Sequence, residues 1–236
     1  MKYGYYADNE MPKFENNGYK TNSHGYRCPE WTPLPEGKKN VVVLGCSHTF
    51  GEGHDAGTVW VDQLYNLVDQ KRLRFWNLGQ PGSSADKIVR ILYGCEKILF
   101  PKIIILCWPV WSRRERLDSY PQNLTSNSNF LKDENEHTDR NNFLKNVFLV
   151  EKFAEKTDAK VLHCFAQDVY DIPNNNVFSK TSIKLCWPEW STMTFEHEKR
   201  IRTTEFSLAK DGVHYGVEHH KKFAELFYDH FKSKLK

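Results

Sequence analysis

No stretch of this 236-residue sequence approaches the roughly 18 apolar residues that a membrane-spanning helix needs. The amino-terminal run Met-Lys-Tyr-Gly-Tyr-Tyr-Ala-Asp lacks the apolar core of a signal peptide. A dominant charge sign is missing too. The 33 basic and 30 acidic residues leave a net charge of +3, too little for the broad basic field of a nucleic-acid binder. The six cysteines, Cys28, Cys46, Cys95, Cys107, Cys164 and Cys186, are scattered without CxxC or CxxH spacing. That excludes the usual zinc frameworks, and several of these thiols read as small buried hydrophobes. These absences predict a soluble, cytoplasmic protein of a reducing compartment, with no metal, no membrane span and no nucleic-acid partner.

What the sequence does contain is a series of apolar runs separated by helical patterns. Hydrophobic residues are 39% and aromatics 14%, enough to pack one α/β domain of this length. Residues 1–39 are polar and turn-rich, with Asn22-Ser23-His24-Gly25-Tyr26-Arg27 and Pro33-Leu34-Pro35-Glu36-Gly37. Tyr19, Tyr26 and Trp31 favour an extended arm packed on the domain over a disordered leader. Residues 40–236 then make a single domain. Strands are predicted at Asn40–Gly45, Arg72–Leu78, Ile103–Trp108 and Lys160–Phe165, with a short fifth at Ile183–Trp187. Helical spacing runs over Thr58–Gln70, 84–99, 139–157 and Gly216–Leu235. The turn Pro81-Gly82-Ser83-Ser84 supplies a serine cap for the second helix and Thr138 caps the third. Residues 109–137 read as a long polar loop, a kind that is usually functional or mobile. This β-α-β order calls for a parallel sheet with helices on both faces. Leu106-Cys-Trp-Pro-Val-Trp-Ser112 and Leu185-Cys-Trp-Pro-Glu-Trp-Ser191 match at all but one position, by coincidence or as two similar strand exits.

Chemistry enters where the first strand ends, at Val41-Val-Val-Leu-Gly-Cys-Ser-His-Thr-Phe-Gly-Glu-Gly53. In open α/β sheets ligands bind outside the carboxyl ends of the strands, and Ser47 stands at such an end. A serine hydroxyl is a weak nucleophile until a base takes its proton, usually a histidine oriented by a carboxylate. Lys210-Asp-Gly-Val-His-Tyr-Gly216 offers that pair on a glycine-flanked loop, with Asp211 three residues before His214. The setting is not the Gly-x-Ser-x-Gly elbow of α/β-hydrolases, because Thr49 stands where the second glycine belongs. Nor is it a phosphate loop, since no Gly-Lys-Ser/Thr follows.

Gly45-Cys46-Ser47-His48-Thr49-Phe50-Gly51 resembles the first block, Gly-Asp-Ser-x-Thr-x-Gly, of the SGNH (GDSL-type) hydrolase family. Asn77-Leu78-Gly79-Gln80-Pro81-Gly82-Ser83 resembles the second block, and Asp211-Gly212-Val213-His214 the last. The arm resembles the Asn-Ser-x-Gly-Tyr/Phe-Arg segment found before the first block in some members. The resemblance implies a flavodoxin-like three-layer α/β/α sandwich with a central parallel sheet. It implies a serine esterase that removes an acyl group, acetyl among them, from a carbohydrate, lipid or small-molecule ester through an acyl-enzyme. Ser47 would be the nucleophile, His214 the base and Asp211 its orienter, with the N–H groups of Ser47 and Gly82 at the oxyanion and no cofactor or metal.

Two departures stand out. Cys46 replaces the usual Asp; side chains alternate along extended backbone, so Cys46 is expected to pack inward. The third block, Gly-x-Asn-Asp, is absent, and losing one oxyanion donor can cost about 10²–10³ in rate. Ser112, Arg113 and the indole N–H groups of Trp108 and Trp111 are the candidate substitutes. His48 reads as a cleft-lining loop residue, and with Trp108, Trp111 and Arg113 it forms the substrate-binding set. The four tryptophans Trp108, Trp111, Trp187 and Trp190 read as core, cleft wall or sugar platforms. Arg113, Arg114 and Arg116 read as a solvated charge run, or as a grip on an anionic substrate group if they face the cleft. His219 and His220 are expected on the closing helix with one exposed. The two departures also motivate a rival function, a non-catalytic binding or assembly protein on the same scaffold.

Overall fold

The computed structural model describes residues 19–116, 122–124, 136–166 and 208–236. The predicted fifth strand, Trp187, Trp190, the second copy of the repeat, residues 1–18 and much of 109–137 lie outside them.

Strand β1 (Lys39–Gly45) carries the apolar run Val41-Val-Val-Leu44, buried at every position after Lys39. It pairs in parallel with β2 (Leu73–Asn77) on one side and with β3 (Ile103–Trp108) on the other. β6 (Lys160–Phe165) adds beyond β3, giving the order β2-β1-β3-β6 among the described strands. Parallel neighbours need crossovers, and helices supply them. Helix α2 (Trp60–Leu67) follows β1, α3 (Ala85–Leu99) follows β2, and α4 (Glu136–Thr157) precedes β6. The closing helix α5 (Val217–Phe231) packs on α2, while α3 packs on α4.

Because successive strand residues face opposite ways, the apolar runs serve two cores. Val42, Leu44, Ile104, Leu106 and Trp108 pack toward α3 and α4. Val41, Val43, Ile103, Ile105 and Cys107 pack toward α2 and α5. Cys46 joins the second core at 2% exposure, on the inward side. The result is a three-layer α/β sandwich with a parallel central sheet. No described helix is long and apolar enough to cross a membrane.

Several boundaries differ from those the sequence suggests. The Ser84 cap does form, its hydroxyl accepting from Lys87 N–H at 3.2 Å. Thr138, by contrast, lies inside the first turn of α4, which begins at Glu136. The turn after β1 contains a short helix, α1 (Ser47–Phe50), closed by Gly51 in the left-handed region at φ +81°. The segment 109–137, read as a long polar loop, contains an antiparallel ribbon, β4 (Arg114–Arg116) with β5 (Gln122–Leu124).

The charge run on that ribbon is not simply solvated. Arg90 on α3 grips Glu115 with two hydrogen bonds, of 2.6 and 3.0 Å, and the Glu115 side chain is 2% exposed. Arg114 pairs with Asp139 on α4 at 2.8 Å. Asp86 accepts from Glu115 N–H at 3.2 Å and from Asn142 and Asn146. Partners on two helices, distant in sequence, thus convert a polar stretch into an anchored one.

Candidate active site

The strand order reverses at β1: the chain leaves it for β2 on one flank and returns to β3 on the other. That switch point opens a crevice at the carboxyl ends, where α/β sheets bind ligands. Ser47 stands there as the first residue of α1, 8% exposed. A first helical residue has no intrahelical acceptor for its N–H, so this group is available to an incoming oxygen.

The second block is held against the first. Leu78 N–H donates to Val43 O and Gln80 N–H to Gly45 O, extending the pairing with β1 past the end of β2. Asn77 Nδ2 donates to Thr49 O at 2.7 Å, tying α1 down, while Asn77 Oδ1 accepts from Gly79 N–H. Gly82 follows on the exposed turn with φ +67°.

The last block forms a tight loop. Leu208 bridges Tyr215, and Ala209 N–H donates to His214 O at 2.7 Å. Inside this loop Asp211 Oδ1 accepts from the N–H groups of Val213 and His214, and Asp211 Oδ2 meets His214 Nδ1 at 2.6 Å. Burial by itself raises the Asp211 pKa, but the backbone donors and the imidazole outweigh it and pull the carboxyl down to about 2. A carboxylate at Nδ1 keeps the proton on that nitrogen and leaves the Nε2 lone pair to act as a base.

This loop docks on the segment directly after α1. Lys210 N–H donates to Gly53 O, and a Cβ on Gly53 would stand 2.7 Å from Asp211 Cγ. His54 Nε2 lies 2.7 Å from Tyr215 O. The His48 and His214 rings meet edge to face at 5.3 Å, and Glu52 Oε2 lies 3.8 Å from His214 Nε2. The structure thus brings the Asp211–His214 pair against the loop that Ser47 begins. A Ser47 Oγ–His214 Nε2 hydrogen bond is not formed in it; such bonds are often long without substrate and tighten when it binds.

Three residues that support the site carried no predicted role. Glu52 sits between two glycines beside His214, and Asn77 clamps α1. Arg27 from the arm donates to Gly51 O at 2.6 Å and to His54 O at 3.0 Å, with its guanidinium over Tyr19 and Phe50. Arg27 stands in the Asn-Ser-x-Gly-Tyr-Arg segment and Asn77 opens the second block; Glu52 is visible only once the loops meet.

The substrate-binding set divides. His48 belongs to α1 rather than a loop and touches the His214 ring. Trp108 leaves the cleft: it is wholly buried against Phe143, and its indole N–H donates to His163 at 2.8 Å. A donor so engaged cannot replace the missing Asn. Trp111 is half-buried against the α3–α4 core with Arg140 over its ring. Arg113 lies past the exit of β3, and its charge acts on both Cys46 and His48, the neighbours of Ser47. Among the described residues no group of three or more His, Cys, Asp or Glu side chains is placed to hold a metal ion.

His219 and His220 are both buried, against the expectation that one is exposed. His220 Nδ1 accepts from Trp60 N–H at 3.0 Å, satisfying one of the orphan donors at the start of α2. His219 stacks on Tyr215 at 4.5 Å. Burial, reinforced by neighbouring cations and histidines, pushes His48 down to about 3 and His220 well below its ordinary value. Both stay neutral in the folded chain, while the unfolded chain protonates them near pH 6.5. Stability is therefore complete above that pH and falls as pH drops through it, by about 1.4 kcal/mol per pH unit for each such histidine. Urea midpoints should decline between pH 6.5 and 4.5, before the carboxylates titrate. A flat profile over that window would contradict the buried neutral assignment.

No family model and no curated protein sequence matches this chain. Solved structures do. The psychrotrophic esterase EstA from Pseudoalteromonas sp. matches with a TM-score of 0.52 at 13% identity, over 84% of this chain and 99% of its own. A family 3 carbohydrate esterase from Clostridium thermocellum gives 0.52 at 16% identity, over 84% and 97%. A lipolytic protein of the G-D-S-L family from Veillonella parvula gives 0.51 at 15% identity, over 82% and 98%. The order of strands, the two-faced core and these matches agree: the chain has the α/β sandwich fold of the SGNH (GDSL-type) esterases.

Proposed function

We propose that this protein is a serine esterase that removes an acyl group, acetyl among them, from a carbohydrate, lipid or small-molecule ester. The observation that carries the reading is the Asp211–His214 pair, joined at 2.6 Å and docked on the loop that follows Ser47. The fold shared with a carbohydrate esterase and other esterases supports ester hydrolysis over other chemistries.

In the proposed reaction Ser47 Oγ attacks the ester carbonyl carbon while His214 Nε2 takes its proton. Asp211 holds the imidazole in the required tautomer and stabilises the imidazolium. The carbonyl oxygen, now negative, is met by the N–H groups of Ser47 and Gly82. Collapse of the tetrahedral species expels the alcohol, protonated by His214, and leaves an acyl group on Ser47. Water, deprotonated by the same imidazole, attacks that acyl-enzyme and releases the acid. No cofactor is required by this sequence of steps.

The test is covalent labelling with a fluorophosphonate, which reacts with activated serines, together with hydrolysis of a short aryl ester. The expected result is one phosphonylated residue, Ser47, and turnover lost with its labelling. An unlabelled chain with no turnover would overturn the reading in favour of a binding or assembly role.

A further inference from the structure

Two of the arginines around the β4 ribbon have counter-ions. Arg90 holds Glu115 and Arg114 holds Asp139. Arg113 differs. Its Nη1 is buried and has no hydrogen-bond acceptor among the described residues, and no described carboxylate lies within ion-pair reach of it. Leaving a buried, charged N–H group without an acceptor is costly, because the interior does not replace the water it loses. Its position is not accidental slack. Arg113 N–H donates to Val110 O, and the next two residues are clamped to α4 and α3, so the backbone that presents Arg113 is fixed from both sides.

The place where this charge is held matters as much as its isolation. Arg113 follows the exit of β3, across the switch-point crevice from Ser47 at the exit of β1. Its field reaches Cys46 and His48, lowering the pKa of each against or alongside burial. A fixed cation without a counter-ion among the described residues, close to Cys46 and His48 on either side of Ser47, is completed by an anion that arrives with the ligand. Arginine presents a planar fork of donors suited to carboxylate or phosphate oxygens.

We infer that Arg113 recognises an anionic group carried by the substrate, so that the preferred esters are negatively charged close to the scissile bond. The inference rests on the esterase reading for its chemistry but is tested apart from it. The anionic oxygen can belong to the acyl part, as in a dicarboxylic acid monoester, or to the alcohol part, as in an acylated alcohol phosphate. Both present the same group to the guanidinium.

The experiment has a kinetic and a binding arm. In the first, kcat/KM is compared for 4-nitrophenyl hemisuccinate against 4-nitrophenyl butyrate, and for acetylated glycerol phosphate against glycerol monoacetate. One of these pairs should show a preference for the anionic member of about 10–100-fold, the size of a charge-assisted hydrogen bond. The preference should collapse toward unity in Arg113→Gln and be partly kept in Arg113→Lys. In the second arm, monomethyl succinate, glycerol phosphate and methyl butyrate are titrated calorimetrically into Ser47→Ala, where no turnover is needed. The anionic probe should bind more tightly, and less so in Ser47→Ala/Arg113→Gln. Equal rates and equal binding for charged and neutral members of both pairs in the wild-type chain would overturn the inference. So would a preference that survives in Arg113→Gln. Absence of all hydrolysis, with charge-selective binding retained, would refute the esterase reading and leave the anion site standing.

Discussion

Ser47→Ala is expected to lower ester hydrolysis at least about 10³-fold while leaving the fold intact. The loss follows from removing the atom that would form the acyl bond. The intact fold follows from what Ser47 does not do. Cys46, not Ser47, is the N-cap of α1, and no side-chain cap bond is made there. A small side chain outside the main cores costs little when truncated. Stability and activity are therefore separable in this variant, and a thermal melt matching the wild type must accompany the kinetic loss. Asp211→Asn makes the companion case. Its amide oxygen can still accept from Val213 and His214 N–H, but its NH₂ would donate to Nδ1 and move the imidazole proton to Nε2. The wrong tautomer cannot accept from Ser47, and the expected fall is up to about 10⁴-fold. Wild-type rates in both variants would remove Ser47 and Asp211 from the chemistry.

Gly79→Ala is expected to damage both stability and turnover, for a different reason. A Cβ at Gly79 would lie 2.5 Å from Phe50 N and 2.7 Å from Thr49 C. These are backbone atoms of α1 and cannot swing aside as a flexible side-chain end can. The helix that begins at Ser47 must shift, or the loop after β2 must. Overpacking of this kind costs about 1–3 kcal/mol. A displacement near 1 Å at a reacting group can cost about 10²-fold in rate. The urea midpoint and kcat/KM of Gly79→Ala read the two effects. A variant as stable and as active as the wild type would mean that the blocks around Ser47 are not tightly packed against each other.

Arg27 and Asn77 show why the site extends beyond its reacting groups. One clamps the loop that receives His214, and the other clamps the helix that presents Ser47. Both act through backbone carbonyls, so their contribution is to geometry rather than to charge at the reaction centre. Glu52 Oε2, on the same loop, stands 3.8 Å from His214 Nε2, beyond hydrogen-bond reach.

The strands and most helices could be read directly because their signals are local. Val41–Leu44 and Ile103–Trp108 are apolar throughout, and a run with no polar face suits a strand covered on both sides. The Asp211–His214 pair was legible for the same reason: both residues belong to one turn, three positions apart. What escaped was decided by groups far apart in the chain. His220 was expected to sit exposed or not by its helix face alone, yet its imidazole is buried because it caps Trp60 N–H, 160 residues away. Trp108 looked like a cleft residue until His163, 55 residues on, took its N–H. Arg114 and Glu115 looked solvated because their counter-ions, Asp139 and Arg90, stand on α4 and α3.

The amino-acid order alone determined that a parallel sheet would form and that a serine, a histidine and an aspartate would stand at its loop ends, since periodicity and turn chemistry act between near neighbours. Only the tertiary structure decided which buried polar groups are satisfied. Desolvation and pairing depend on distance in space, and it is there that Arg113 is left as a cation beside Ser47 without a described counter-ion.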